Sequence, residues 1–332
     1  MRLYDWNELE EHFQDTVILG NGASISVDNR FAYSSLLEKA RQTGYITDSI
    51  SQVFEHFETS DFELVLEMLW HASHINEALQ VRDQKTHQAY QEVRAALINA
   101  VRQVHPEYED VNDCVLKIGQ FLKNFKTVFA LNYDLLTYWS MLRFNGDMGG
   151  IWFKDCLIDG VLDPNWTRLR EPYRADGATL VFYPHGHLAW ASSLSGQEIK
   201  INASRMNSLL NCIFDAWQTA KFSPVFVSEG DTSQKVNSIS RSQYLSTVFR
   251  QVFPEKKQSL VIYGWSLGDQ DTHILKQLES ARIPLCAVSV HSGVPNKERY
   301  CDDIKAKLKR YLNNNLKVYF FDASSPGAWI NA

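Results

Sequence analysis

Apolar residues fall in two rhythms along this chain. One is a series of short unbroken runs: Thr16-Val17-Ile18-Leu19, Thr127-Val128-Phe129-Ala130-Leu131, Leu180-Val181-Phe182-Tyr183, Val225-Phe226-Val227, Leu260-Val261-Ile262-Tyr263, Leu285–Val290 and Leu316–Phe321. These runs lack polar alternation, the pattern of strands covered on both faces. The second rhythm is helical. Phe62, Val65, Leu66 and Leu69 share one face, as do Tyr90, Val93, Leu97, Ala100, Val101 and Val104, and Pro106 closes that second helix. Further helices are expected over Tyr33–Lys39 and Met206–Lys221.

Strands alternating with helices predict an α/β fold, a Rossmann-like parallel sheet with helices on both faces. The spacing divides the chain into 1–47, the start of the sheet domain; 48–125, a helical insertion packed beside it; and 126–332, the remainder. A stretch at about 144–180, rich in Gly, Asp and Trp, reads as a loop or hairpin excursion.

The chain has 332 residues, of which 45% are hydrophobic, enough to bury a core without a disulfide or metal staple. Its net charge of −6 argues against direct nucleic-acid binding, and the basic cluster Lys305–Arg310 reads as a solvated helix face. Five cysteines, at 114, 156, 212, 286 and 301, form no C-x-x-C pair, so no metal is expected from them. Such a scattered odd set fits reduced thiols in a cytoplasmic protein. The N-terminus lacks a basic-then-apolar signal pattern and no run is long enough for a membrane span, which predicts no membrane association.

The chemistry lies in the loops. In open parallel sheets, ligands bind beyond the carboxyl ends of the strands. Five polar or glycine-rich segments follow predicted strands. Gly20-Asn21-Gly22-Ala23-Ser24 allows close backbone approach and offers amides to a phosphate, although Ile25 replaces the third glycine of the full dinucleotide fingerprint. Asn132 can orient a ribose hydroxyl or a water, and Asp134 either holds that loop or caps the next helix. His185, between Pro184 and Gly186, is a general-base candidate, whereas His187 has no motif behind it and reads as structural. Ser228-Glu229-Gly230 follows the Val225 run. Gly264 and Ser266 lie in Gly264-Trp265-Ser266-Leu267, and Asp269 and Asp271 then suit the start of a helix.

Taken in order, G-x-G-A-S, L-N-Y-D, P-H-G and G-W-S-L resemble the SIR2 superfamily. The likeness is closest to bacterial SIR2-like proteins with S-E-G-D followed by S-x-x-x-Y-L, here Ser228–Asp231 and Ser240–Leu245. It spans about residues 16–290. The resemblance implies NAD as substrate, with Gly20, Asn21, Gly22, Ala23, Ser24, Asp134, Glu229, Gly264 and Ser266 binding it. Asn132 and His185 would be catalytic. The four zinc cysteines of family deacylases are absent, which turns the resemblance toward the defence-associated branch. Its members cleave NAD to nicotinamide and ADP-ribose, commonly as oligomers or with a sensor partner. The expected activity is therefore NAD glycohydrolysis by a regulated antiviral defence effector; the alternative is a non-catalytic NAD or ADP-ribose sensor or assembly subunit.

Overall fold

The protein is described by a computed structural model covering residues 2–33, 35–147, 150–172, 175–193, 196–203, 208–219, 221–227 and 230–332. The predicted α/β class holds. Eight parallel strands form one sheet in the spatial order β1 (Leu3–Tyr4), β13 (Lys317–Asp322), β12 (Leu285–Val290), β11 (Ser259–Tyr263), β2 (Thr16–Leu19), β3 (Thr127–Ala130), β7 (Gly177–Phe182) and β4 (Ile151–Lys154). The apolar runs of β2, β3 and β11 are buried at every position, as strands covered on both faces require.

Chain direction explains where a ligand site can form. From β2 the sheet grows one way, through β3 to β7, and from β11 it grows the other way, through β12 to β13. Right-handed crossovers then lay the connecting helices of the two halves on opposite faces. A crevice opens at the carboxyl ends of the adjacent β2 and β11, where the order reverses.

Two strand assignments need correction. The Val225 run lies in β10 (Phe222–Phe226), but β10 pairs antiparallel with β8 (Gly186–Ser193), which also pairs with β9 (Glu198–Lys200). β10 is therefore not a strand of the parallel sheet, although the next residue, Val227, reaches its end and donates its amide to the His185 carbonyl at 2.7 Å. An apolar run reports burial but not the direction of its partner. The 144–180 stretch contains the hairpin of β5 (Leu157–Ile158) and β6 (Val161–Leu162), and also β4, a parallel edge strand absent from the prediction. Between residues 48 and 125 lie four helices, Asp48–His56, Phe62–Ala78, Lys85–Val104 and Tyr108–Leu122. Among the described residues, no helix is long and apolar enough to cross a membrane.

Backbone meets backbone at the centre of the crevice. The amide of Gly20 donates to the Tyr263 carbonyl at 2.9 Å, and that of Gly22 to the Gly264 carbonyl at 2.7 Å. Gly264 has φ +67°, and a Cβ there would lie 2.2 Å from the Ala23 nitrogen. Trp329, near the C-terminus, locks the same place from behind: its indole N–H donates to the Ala23 carbonyl at 2.9 Å. Its ring packs on Tyr263 and Phe121. Gly264→Ala combines left-handed strain with a backbone clash. It is expected to cost at least about 2 kcal/mol in urea unfolding; a wild-type midpoint would contradict this close packing.

Candidate functional site

A cleft of about 490 Å³ occupies the crevice at the strand ends. Loops from four strands of the parallel sheet reach it, joined by Val227 after β10. Gly20, Asn21 and Gly22 follow β2, Asn132 and Asp134 follow β3, His185 follows β7, and Gly264 and Ser266 follow β11. Eight residues singled out in the sequence thus line one cavity. Two others do not. Ala23 and Ser24 are fully buried beneath it, because the helix Asn21–Val27 begins directly after Gly20 and turns them inward. Glu229 lies outside the described residues.

The glycines have a different local reason from the one expected. Gly20 and Gly22 admit the β11 loop, and their amides, like that of Ala23, already have protein carbonyls as acceptors. Close approach of two loops therefore accounts for the G-x-G spacing.

Ser24 has a role through its neighbours. The Asn132 amide group donates to the Gly20 carbonyl at 3.0 Å and to Ser24 Oγ at 2.7 Å. Ser24 Oγ in turn donates to Asp134 Oδ2 at 2.5 Å, and Asp134 Oδ1 accepts from the Leu136 amide at 2.9 Å. The Asn132 side chain is thereby fixed with both N–H groups facing the protein, which leaves Oδ1 as its atom for a ligand hydroxyl or water. Asp134 also caps the following helix, so its two proposed roles are one arrangement. Burial raises its carboxyl above the ordinary value of 3.8, opposed by the Ser24 and Leu136 donors.

The insertion reaches this loop through His105, which sequence reasoning missed. His105 is buried, bonds the Pro106 carbonyl through Nδ1, and accepts from the Leu135 amide at Nε2, 3.0 Å away. Burial lowers it to about 4, so the ring stays neutral and keeps that acceptor. Its only sequence signal is its position just before Pro106.

His185 is 4% exposed, and its Nε2 lies 3.0 Å from Nε2 of His273. The carbonyl of Leu131 lies against its ring. Burial, and then the Lys235 ammonium, lower His185 to about 3; burial likewise lowers His273 to about 4. Lys235 Nζ is 2.8 Å from Asp271 Oδ1, and the Trp265 indole donates to Asp271 Oδ2 at 3.1 Å. Burial disfavours the Asp271 carboxylate, but His185, then Lys235 and the Trp265 N–H, together more than offset it and hold the group below its ordinary range. Asp271 therefore serves a buried polar cluster as well as starting a helix, the role its position suggested. His187 is structural, as expected: it is fully buried, with its ring 4.4 Å from that of Tyr183.

Fold and site define a Rossmann-like α/β protein with a loop-lined cleft at its topological switch point. The chain matches the family model described as Domain of unknown function (DUF4917) over residues 17–329, and it belongs to that family. A search of curated proteins gives no match.

Asp134 supports a pH test. A carboxyl raised in the folded state contributes stability that is complete below its unfolded value of 3.8 and is lost as pH rises through the folded value. Asp134→Asn should remove that loss. Urea midpoints of wild type and variant should therefore diverge, with wild type declining relative to the variant as pH rises past 3.8. Parallel curves would show that folding does not raise the Asp134 carboxyl.

Proposed function

We propose that this cleft binds NAD and that the protein is a SIR2-like NAD glycohydrolase, releasing nicotinamide and ADP-ribose. One observation carries the reading. The motifs that resemble the SIR2 superfamily are scattered from residue 20 to residue 266, yet Gly20, Gly22, Asn132, Asp134, His185, Gly264 and Ser266 all line one cleft. It lies where open parallel sheets bind dinucleotides. Its volume, about 490 Å³, lies in the ordinary range for small-molecule sites.

In the reaction, the bond from ribose C1′ to the nicotinamide nitrogen breaks through an oxocarbenium-like state. The electron pair leaves on nicotinamide, water adds to C1′, and one proton is released. Asn132, held by Ser24 and Gly20, offers Oδ1 to the attacking water or a ribose hydroxyl. His185 on the cleft wall takes the proton. The four-loop wall holds the ribose still, and such positioning can contribute several kcal/mol, up to about 7–11 in favourable cases. By the same resemblance, the protein would act in the cytoplasm as a defence effector, restrained by oligomerisation or a sensor partner.

A second reading has an observation of its own. The imidazole of His185 is engaged inside the protein, with its Nε2 against that of His273. That favours an NAD or ADP-ribose binding module without turnover. Nicotinamide release from NAD separates the two. The glycohydrolase reading expects release by wild type. It also expects losses of about 100-fold or more in Asn132→Ala and His185→Ala, each folded by circular dichroism. Binding without release would favour the module, and wild-type turnover in either variant would overturn that residue's role.

A further inference from the structure

The cleft floor holds a buried polar cluster whose remaining members, His273, Asp271 and Lys235, have no part in the resemblance. His185 and His273 face each other Nε2 to Nε2 at 3.0 Å. Each outer nitrogen has a carbonyl near it. Leu131 lies against the His185 ring, and Gln270 against the His273 ring. No full hydrogen bond forms there, and His273 Nδ1 lacks a partner among the described residues.

Proton counting then constrains the pair. A neutral imidazole carries one N–H. If both rings carry it on Nδ1, two lone pairs face each other across the gap. If one ring carries it on Nε2, its Nδ1 turns a lone pair toward a carbonyl. With His273 donating through Nε2 the gap is bridged and only its unpartnered Nδ1 lone pair is left over; with both protons on Nδ1, one added proton between the two Nε2 atoms bridges the gap instead.

Two opposite charges flank the pair. From the helix Thr232–Arg241 comes the Lys235 ammonium, which opposes a proton on either ring. The Asp271 carboxylate, from the turn before the helix Thr272–Leu278, favours one. Trp265 N–H holds Asp271, and the neutral Phe249 ring packs on His273. The donors of His185, Asp271 and His273 lie within 4.8 Å of one another, a set that also suits a metal. However, both Asp271 oxygens are committed, one of them to an ammonium. That disfavours a divalent cation.

We propose that His185 and His273 act as a single proton acceptor, with His273 the positioning residue that lets a buried His185 take the proton released by NAD hydrolysis. This rests on the glycohydrolase reading. Water oxygen bonds to C1′, the C1′–nicotinamide pair leaves with the base, and the water proton passes into the gap between the two Nε2 atoms. A lone imidazole this buried, beside an ammonium, is a weak base near neutral pH. Sharing the proton with a second ring offsets that penalty.

His273→Gln tests the assignment, because it keeps a polar amide in place of the ring. The expected result is a fall in kcat of about 10–100-fold with KM within about threefold. The acid limb of the kcat–pH profile should also move to lower pH, because the remaining base is weaker. A fall in kcat with an unmoved limb would reduce His273 to a structural role and overturn the proposal, as would unchanged kinetics. If wild type releases no nicotinamide, the glycohydrolase reading fails separately. The pair is then read directly by histidine ¹⁵N resonances of wild type across pH. Both rings shifting in one coupled titration would uphold a single acceptor. Two independent titrations, or a stoichiometric divalent metal in the purified protein, would overturn it.

Discussion

The structure depends on two adjacent backbones approaching closely enough to exclude side chains. Where β2 and β11 end, the amides of Gly20 and Gly22 reach the carbonyls of Tyr263 and Gly264, and Gly264 has no room for a Cβ. This contact joins the two halves of the sheet at the point where strand order reverses. It also fixes the first turn of the helix Asn21–Val27, which carries Ser24 inward to Asp134 and Asn132. The orientation of the Asn132 amide therefore follows from the glycine packing two strands away. The same contact shows why a glycine motif alone is weak grounds for a phosphate site: the loops needed those glycines in order to meet.

The remaining cleft wall is set by interactions distant in sequence. His105, from the helical stretch, supplies the acceptor that anchors the start of the helix after Asp134. Lys235 and Asp271 pair beside the two facing histidines. Buried charges persist only when paired, and here the pair is braced by a Trp265 N–H. These groups lie between loops from both halves of the sheet, so cleft electrostatics and domain packing are coupled.

Much of the fold was legible in the sequence, for physical reasons. The runs at β2, β3, β11 and β12 are mostly apolar and almost wholly buried because both faces are covered, and their short length between turn signals marks them as strands. β4 escaped because Ile151-Trp152-Phe153-Lys154 sits at the sheet edge, half exposed, among glycines and aspartates. β10 was placed in the wrong sheet because Val225 and Phe226 record burial, not strand direction. At the site, Asn132, Asp134, His185 and Gly264 were legible because they directly follow strands. His273, Lys235 and His105 were not: each acts on a partner dozens of residues away, and no local motif marks those pairings.

The most direct test of the account is the binding of ADP-ribose, which cannot turn over, measured by calorimetry on wild type and on Asn132→Ala. The account predicts one site per chain in wild type and marked weakening in the variant, since the amide would lose its contact with the ribose or its water. No heat of binding up to millimolar ligand, or equal affinity in the two proteins, would contradict a nucleotide site at the switch point.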